Sequence, residues 1–528
     1  MKTKRINVSS RNRQLIINMA AQAISFAVSF GISFFLTPYI VENIGVEANG
    51  FVGLANNFTG YVSIITTALT SMAGRFITIS IHRKDYKSAN KYMSSVFMAN
   101  IVLSTVLAVP MVYILANMST LFDVPSGMVT DVTILWSFMF FSFLLGNVMS
   151  VFNVAAFSQN RLDIQSGTGI VSNILRAAFL VVAYSVFDAR VWYLGCASLM
   201  TSLISISVNL HCKKKMLPQI HIKRKYFEIK AIKELVASGV WNSISQVSGI
   251  LSEGLDLLVA NIFVGATAMG QISLAKSIST HILSLLGSIS SVFAPQLTIS
   301  YAKNDFEDIK KQLSSAIKLL GFVSCIPIAI LYAYGEDFFE LWVPGEDAKL
   351  LQTLTIVAAL EFPLVLPLEP LWNIFTITNK VKQSSIYLVI NSMLTIGIVF
   401  ALLQFAQTEY QKMLIIVGVS TAFSIIRALT FLPLFGAKCL GFKLNTFYKP
   451  ELRNVLAVAI LTLISFVIKS MVKVDSWLML IVVSCATMAM SVFINYFLVL
   501  GKNERIILKN KLFSLFNKKT TSNYKDGV

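Results

Sequence analysis

Long apolar runs separated by short polar or turn-forming loops dominate this chain. Cutting the runs of ~20 residues where polar residues end them predicts about fourteen membrane helices. They fall at 15–41, 49–75, 92–116, 129–157, 167–187, 191–210, 236–262, 268–298, 314–334, 350–378, 384–406, 413–435, 453–472 and 477–500. The count drops to about twelve if the last pair lies flat on the membrane. A basic N-terminus precedes the first run, but Leu15 to Val41 is too long for a signal-peptide core, so it is read as a span. The expected fold is an all-α polytopic membrane protein.

One block occurs twice. SMAGRFITISIHRKDYKSANKYMSSV at Ser71–Val96 aligns without a gap on SVFAPQLTISYAKNDFEDIKKQLSSA at Ser291–Ala316. An offset of 220 residues places Thr78-Ile79-Ser80 on Thr298-Ile299-Ser300, Asp85 on Asp305, Lys91 on Lys311 and Ser94-Ser95 on Ser314-Ser315. The same offset carries Gly50 onto Gly270, Leu54-Ala55 onto Leu274-Ala275 and Asn153 onto Asn373, and a small shift brings Gln165-Ser166 onto Gln383-Ser384. A shared offset across several segments indicates a duplicated half.

The loops set the orientation. Lys2, Lys4, Arg5, Arg11 and Arg13 precede span 1, and the next loop carries Glu42 and Glu47 with no base. Arg83, Lys84 and Lys87 follow, then Asp123, then the strongly basic connector His211–Lys233, then an acidic loop with Glu336, Asp337, Glu340, Glu346 and Asp347. Basic loops face the cytoplasm, which puts both termini inside. Spans 1 and 7 then both start inside, so the halves form a parallel repeat of about six helices each. The expected division is 1–230, 231–450, and an added pair of helices with a basic tail at 451–528. In that tail Leu508, Leu512, Leu515 and Phe516 recur at helical spacing between lysines, which suits either an interfacial helix or a solvated basic tail.

Composition agrees. Hydrophobic residues make up 55%, charged residues only 13%, and the mean hydropathy is +0.70. The net charge of +18 sits in alternate loops, a distribution that argues for membrane orientation and against nucleic acid. The five cysteines, scattered in or beside apolar segments, have no metal or disulfide spacing. No Walker loop, HExxH or nucleophile elbow occurs, so no enzyme activity is expected.

Ionisable residues inside spans are costly and usually face a partner or a cavity. They are Arg176, Glu253, Asp256, Lys276, Glu361, Glu369 and Arg427. Glu253 and Asp256 share a helix face, and depth along the helix places them roughly 13–18 Å below the outer face, with Lys276 roughly 16 Å below it on the next helix. At the repeat offset Glu253 answers to Ser33, Lys276 to Asn56 and Arg427 to Ser207, so one half is charged where its twin is neutral. The prolines Pro363, Pro367 and Pro370 in EFPLVLPLEP are expected to break or kink span 10. His281 reads as a packed histidine, and Arg75 as a side chain snorkelling at the end of span 2.

With EANGFVGLANN at 47–57 and the repeated TIS…D…K…SS block, this architecture resembles the polysaccharide transporter (O-antigen flippase-like) branch of the multidrug/oligosaccharidyl-lipid/polysaccharide exporter superfamily. The resemblance implies a V-shaped pair of six-helix bundles like that of the multidrug and toxin exporters, working by alternating access. It implies a flippase for a polyprenyl-pyrophosphate-linked oligosaccharide in the bacterial inner membrane, with inner-membrane lipids and polysaccharide polymerase machinery as partners. On that reading Arg176, Lys276 and Arg427 are candidates for the anionic head group. Glu253, Asp256, Glu361 and Glu369 are candidates for charge partners or coupling. No cofactor is expected beyond H+ or Na+ coupling. Because carboxylates and bases inside the membrane roughly balance, an ion-coupled exporter of organic cations stays open as an alternative, as does a lipid II flippase.

Overall fold

The structure is a computed structural model that describes residues 8–159, 161–250, 255–291, 293, 297, 300–301, 303–501 and 505. Glu253 and the tail 506–528, with its expected interfacial helix, lie outside the described residues. Every described element is a helix. In chain order these are α1 (Val8–Asn43), α2 (Val46–His82), α3 (Tyr86–Ala116), α4 (Met118–Leu121), α5 (Val129–Met149), α6 (Val154–Ser158), α7 (Leu162–Val186), α8 (Trp192–Met216), α9 (Ile229–Gly249) and α10 (Asp256–Phe263). They continue with α11 (Ala266–Ser291), α12 (Phe306–Trp342), α13 (Ala348–Ala359), α14 (Phe362–Leu368), α15 (Trp372–Ile377), α16 (Val381–Leu403), α17 (Glu409–Leu429), α18 (Phe431–Cys439), α19 (Tyr448–Met471) and α20 (Trp477–Leu498).

Among the described residues, 11 helices are long and apolar enough to cross a membrane, or 12 if the bent pair Ala348–Ala359 and Phe362–Ile377 is one span. Counting the bent pair as one, these correspond to expected spans 1–6 and 9–14. Expected spans 7 (236–262) and 8 (268–298) each include residues outside the described ones, and α9 and α11 are not among those 11 helices.

The duplication is written into the backbone. Gly45 (φ 118°) ends the stretch before α2, and Gly265 (φ 141°), 220 residues later, does the same before α11. Both donate their N–H to the equivalent carbonyl, Ile40 at 3.2 Å and Ala260 at 2.9 Å. Lys84 and Asn304 both take the left-handed conformation, at φ 60° and 56°. The next residues, Asp85 and Asp305, cap α3 and α12 by accepting from Ser88 N and Asp308 N, each at 3.0 Å. The aspartate at this position satisfies one orphan donor of the helix start, which is why it recurs in the sequence block. A 3-10 segment also interrupts both halves, at Ser150–Asn153 and at Glu369–Leu371.

The chain packs as two compact units. The first comprises Met1–Leu274 with Ser385–Ile416, the second Ala275–Ser384 with Val417–Val528. These units cut across the sequence halves, because α9 packs along α2. Gly239 permits it: a Cβ there would lie 2.1 Å from the Ala68 carbonyl oxygen. Ser243 donates to Ile64 O at 2.7 Å, and Thr67 donates to Gln246 Oε1 at 2.8 Å. The segment 385–416 joins the first unit through Phe400 against Phe263, with centroids 5.5 Å apart, and Lys412 Nζ donating to Phe263 O at 3.2 Å.

The basic connector is docked in the first unit. Leu217 and Ile220, both 0% exposed, enter a core with Leu69, Ile77, Met93 and Leu235. Burial of each contributes about 1.5–3 kcal/mol. Polar groups of the repeated block secure the rest. Asn90 Oδ1 accepts from His221 N at 2.7 Å, Ser94 Oγ from Lys223 N at 3.2 Å, and Ser95 Oγ from Glu228 N at 2.9 Å. Lys91 pairs with Glu228 at 2.8 Å. The Lys91 ammonium holds the Glu228 carboxyl below the usual glutamate range.

In the second unit α12 and α19 run side by side in parallel. Asn454 fills the space left by Gly321 and donates to Ile317 O at 3.1 Å. Further along, Tyr334 donates to Ser465 O at 3.1 Å, and Lys469 pairs with Asp337 at 2.6 Å. The added helices are thus built into the bundle. Leu461 and Val458 of α19 share a core with Leu320, Ile328 and Phe362.

Candidate functional site

Helix α2 is the element against which the first unit closes. Near its start it crosses α11, and there each helix meets its own repeat counterpart. A Cβ on Gly50 would lie 3.0 Å from Gly270 Cα, and one on Gly270 would lie 2.4 Å from Val46 O. One turn on, a Cβ on Gly53 would lie 3.0 Å from Ser273 Oγ. Glycine is needed here for close backbone approach, as in small-residue helix crossings within membranes. Contact between positions related by 220 residues is what a twofold axis between α2 and α11 produces.

Polar groups pin this crossing. Thr267 donates to Glu47 Oε1 at 2.8 Å, and Asn49 donates to Ser273 Oγ at 3.2 Å. Asp123 and Asn261 exchange hydrogen bonds, Asp123 N to Asn261 Oδ1 at 3.0 Å and Asn261 Nδ2 to Asp123 O at 3.1 Å. The Asp123 carboxylate also accepts from Ala266 N at 3.2 Å, at the start of α11, where the helix dipole favours a negative charge. Sequence reasoning found Gly50 and Gly270 through the repeat but not these polar partners. Glu47, Asp123 and Asn261 gave no signal beyond loop charge.

The expected charged residues other than Glu253 are divided between the two units. Arg176 and Asp256 belong to the first unit, and Lys276, Glu361, Glu369 and Arg427 to the second. Arg176 lies on α7, and its Nε is buried with no hydrogen-bond partner among the described residues, as is the Tyr184 hydroxyl two turns away. Beside them, α1 and α7 enclose an apolar groove of about 490 Å³ with Gly31, Phe35, Tyr39, Leu180 and Tyr184 in its wall. Asp256 starts α10, is 7% exposed, and lies within electrostatic reach of the Tyr61 hydroxyl on α2. Lys276 is half-buried on α11, and Arg427 donates to Ser424 Oγ at 3.1 Å within its own helix.

The expected break in span 10 is present. Helices α13 and α14 meet at 43°, and Glu361 sits at the bend, 9% exposed. Proline has no N–H, so Pro363 leaves the carbonyl four residues back, Ala359 O, without its helical donor. Tyr332 supplies one, its hydroxyl 2.7 Å from Ala359 O. The same tyrosine is within electrostatic reach of Glu361. Glu369 opens the 3-10 segment that follows.

The family model described as "Polysaccharide biosynthesis protein" matches residues 15–299, and the MatE model matches residues 243–403. The chain belongs to the polysaccharide biosynthesis protein family. It is 28% identical over 494 residues to the uncharacterized membrane protein EpsK of Bacillus subtilis (strain 168), covering 93% of this chain and 97% of that one. It is 26% identical over 225 residues to the teichuronic acid biosynthesis protein TuaB of the same organism, covering 41% and 44%. Its fold is similar to that of the lipid II flippase MurJ in an inward closed conformation, with TM-score 0.65, 14% identity, and 91% and 99% of the two chains covered.

Proposed function

We propose that this protein is a flippase for a polyprenyl-pyrophosphate-linked oligosaccharide, working by alternating access between two halves, 1–230 and 231–450, with 451–528 as an added pair. The carrying observation is the α2–α11 crossing, where Gly50 meets Gly270. A junction between repeat counterparts, held by glycine contacts and a few polar bonds, is suited to part and re-form as two halves rock. Membership of the polysaccharide biosynthesis protein family supports a saccharide substrate, and similarity to a teichuronic acid biosynthesis protein supports an acidic one.

On this reading basic loops lie in the cytoplasm, both termini are cytoplasmic, and the membrane is the bacterial inner membrane. Arg176 is the strongest head-group candidate, because its Nε has a hydrogen bond to offer inside the membrane. Lys276 and Arg427 are further head-group residues. Glu361 and Glu369 act at the bend of span 10. The polymerase that consumes the flipped unit is the natural partner. Asp256 against Tyr61 favours one second reading, a proton- or sodium-coupled exporter of organic cations, since a buried carboxylate in a span suits coupling.

The test is reconstitution of the purified protein in liposomes with a fluorescent polyprenyl-pyrophosphate glycan, read by an impermeant quencher. Protein-dependent movement that falls in Arg176→Gln supports the flippase. Absence of movement, with gradient-driven export of an organic cation from the same vesicles, selects the second reading.

A further inference from the structure

Two cavities with both polar and apolar walls adjoin in the first unit, sharing Ser150 and Asn153 of the 3-10 break. The smaller is about 180 Å³. The larger is about 330 Å³, and its wall includes Thr70, Ser71 and Arg75 of α2, Asn153, Phe157 of α6 and Gln165 of α7. That volume is at the low end of small-molecule sites, enough for one ring-sized group. Arg75 lies roughly 10 Å along α2 from its basic end, and its side chain, like those of Ser71, Asn153 and Phe157, is exposed, so the cavity is an open cleft.

Several of these side chains have bonding capacity to spare. Arg75 makes no ion pair or hydrogen bond among the described residues, and neither does the Asn153 side chain. Gln165 Nε2 reaches Asn153 O only at 3.5 Å. The Phe157 ring is 53% exposed and lies against Gly74, where a Cβ would come no nearer than 3.9 Å. Snorkelling explains an arginine at a helix end. It does not explain one grouped with two carboxamides, two hydroxyls and an open aromatic face.

The duplication sharpens the assignment. Asn153 and Gln165 have counterparts in Asn373 and Gln383, so the carboxamides belong to the shared plan. Arg75 does not, because residue 295 at its register is proline. The charge is a feature of one half only.

The donor set defines the ligand. Carboxamides and hydroxyls pair with vicinal hydroxyls, an aromatic face takes the C–H face of a sugar ring, and a free guanidinium takes a carboxylate in bidentate fashion. An organic cation would be repelled by Arg75 and would leave the amides unpaired. We infer that this cavity is a subsite for one acidic sugar residue, with Phe157 under the ring, Asn153 and Gln165 on its hydroxyls and Arg75 on its carboxylate. This rests on the glycan reading above and adds the place and the charge of one sugar.

The experiment is equilibrium binding of glucuronate and of methyl glucoside to the full-length protein in detergent, with inorganic phosphate as competitor. Wild-type protein prefers glucuronate. Arg75→Gln weakens glucuronate by about tenfold or more and leaves the glucoside within about twofold, the span expected for one charge-assisted bond. Phe157→Ala weakens both sugars, and Phe157→Tyr restores them, which separates ring stacking from misfolding. Equal affinity for the two sugars, or phosphate displacing glucuronate as well as glucuronate displaces itself, overturns the subsite. Binding needs no translocation, so a failed flipping assay with intact glucuronate preference counts against transport alone. Undiminished flipping of an acidic glycan by both Arg75→Gln and Phe157→Ala overturns the subsite and leaves the flippase standing.

Discussion

Replacing Gly270 by alanine tests the crossing that the proposed transport cycle depends on. The added Cβ would lie 2.4 Å from Val46 O and 2.7 Å from Val46 C, about 1 Å short of ordinary contact. Its neighbour is backbone, so neither partner can rotate away and the helices must separate. Overpacking of this kind costs about 1–3 kcal/mol. If the closed crossing is one of two states, that cost shifts their ratio by roughly 5- to 150-fold. Gly50→Ala should do less, because its nearest neighbour is the flexible end of Met269 at 2.8 Å and the Gly270 backbone stands at 3.0 Å, farther than the 2.4 Å at Gly270. Gly60→Ala is the control, with nothing within 4 Å. The assay is disulfide formation between cysteines placed at Glu47 and Thr267, which hydrogen-bond at 2.8 Å, in a background lacking the native cysteines. Yield should fall in the order Gly60→Ala, Gly50→Ala, Gly270→Ala. Equal cross-linking in Gly270→Ala and Gly60→Ala, with equal melting temperatures, would mean that the two helices do not cross closely at Gly270.

Three further outcomes follow from particular contacts. Tyr332→Phe strips the donor from Ala359 O at the span-10 bend, a loss of about 1–3 kcal/mol that thermal melting in detergent should register. The Lys91–Glu228 pair holds the connector, and the folded Glu228 pKa is depressed, so its contribution is present above the ordinary glutamate pKa of ~4.3 and is lost as pH falls through the lower folded value. A fluorophore at Lys225→Cys should therefore become more mobile below about pH 4, and Lys91→Ala should show that mobility already at pH 7. Asn454→Leu cannot occupy the space over Gly321 and bond Ile317 O together, so it should loosen the added helices, with tryptic cleavage after Lys473 as the readout.

Much of this architecture was legible because its signals are local. Apolar runs mark the helices, the proline run marks the bend, and the Asp85/Asp305 caps explain why the block repeats. Where α9 and α11 find their burial was not legible, since α9 packs along α2 while Leu286 of α11 enters a core with Leu320 and Ile328. Which helices pack together was not legible: nothing at Gly239 tells that it rests on Ala68 O, and this contact draws α9 away from its own sequence half. The connector's basic residues mark orientation, whereas its docking depends on Leu217, Ile220 and the pairing of Ser94 and Ser95 with backbone groups. Intramembrane charges could be enumerated from sequence, but their partners, such as Tyr61 for Asp256, lie on distant segments and leave no spacing to read.

The most direct test of the account is protein-dependent movement of a fluorescent polyprenyl-pyrophosphate glycan across a liposome membrane. The account expects label to become reachable by an impermeant quencher with wild-type protein, to do so more slowly with Arg176→Gln, and to move at the wild-type rate with Gly60→Ala. Label that stays behind the membrane with wild-type protein, in vesicles that expel an organic cation along an ion gradient, would contradict it.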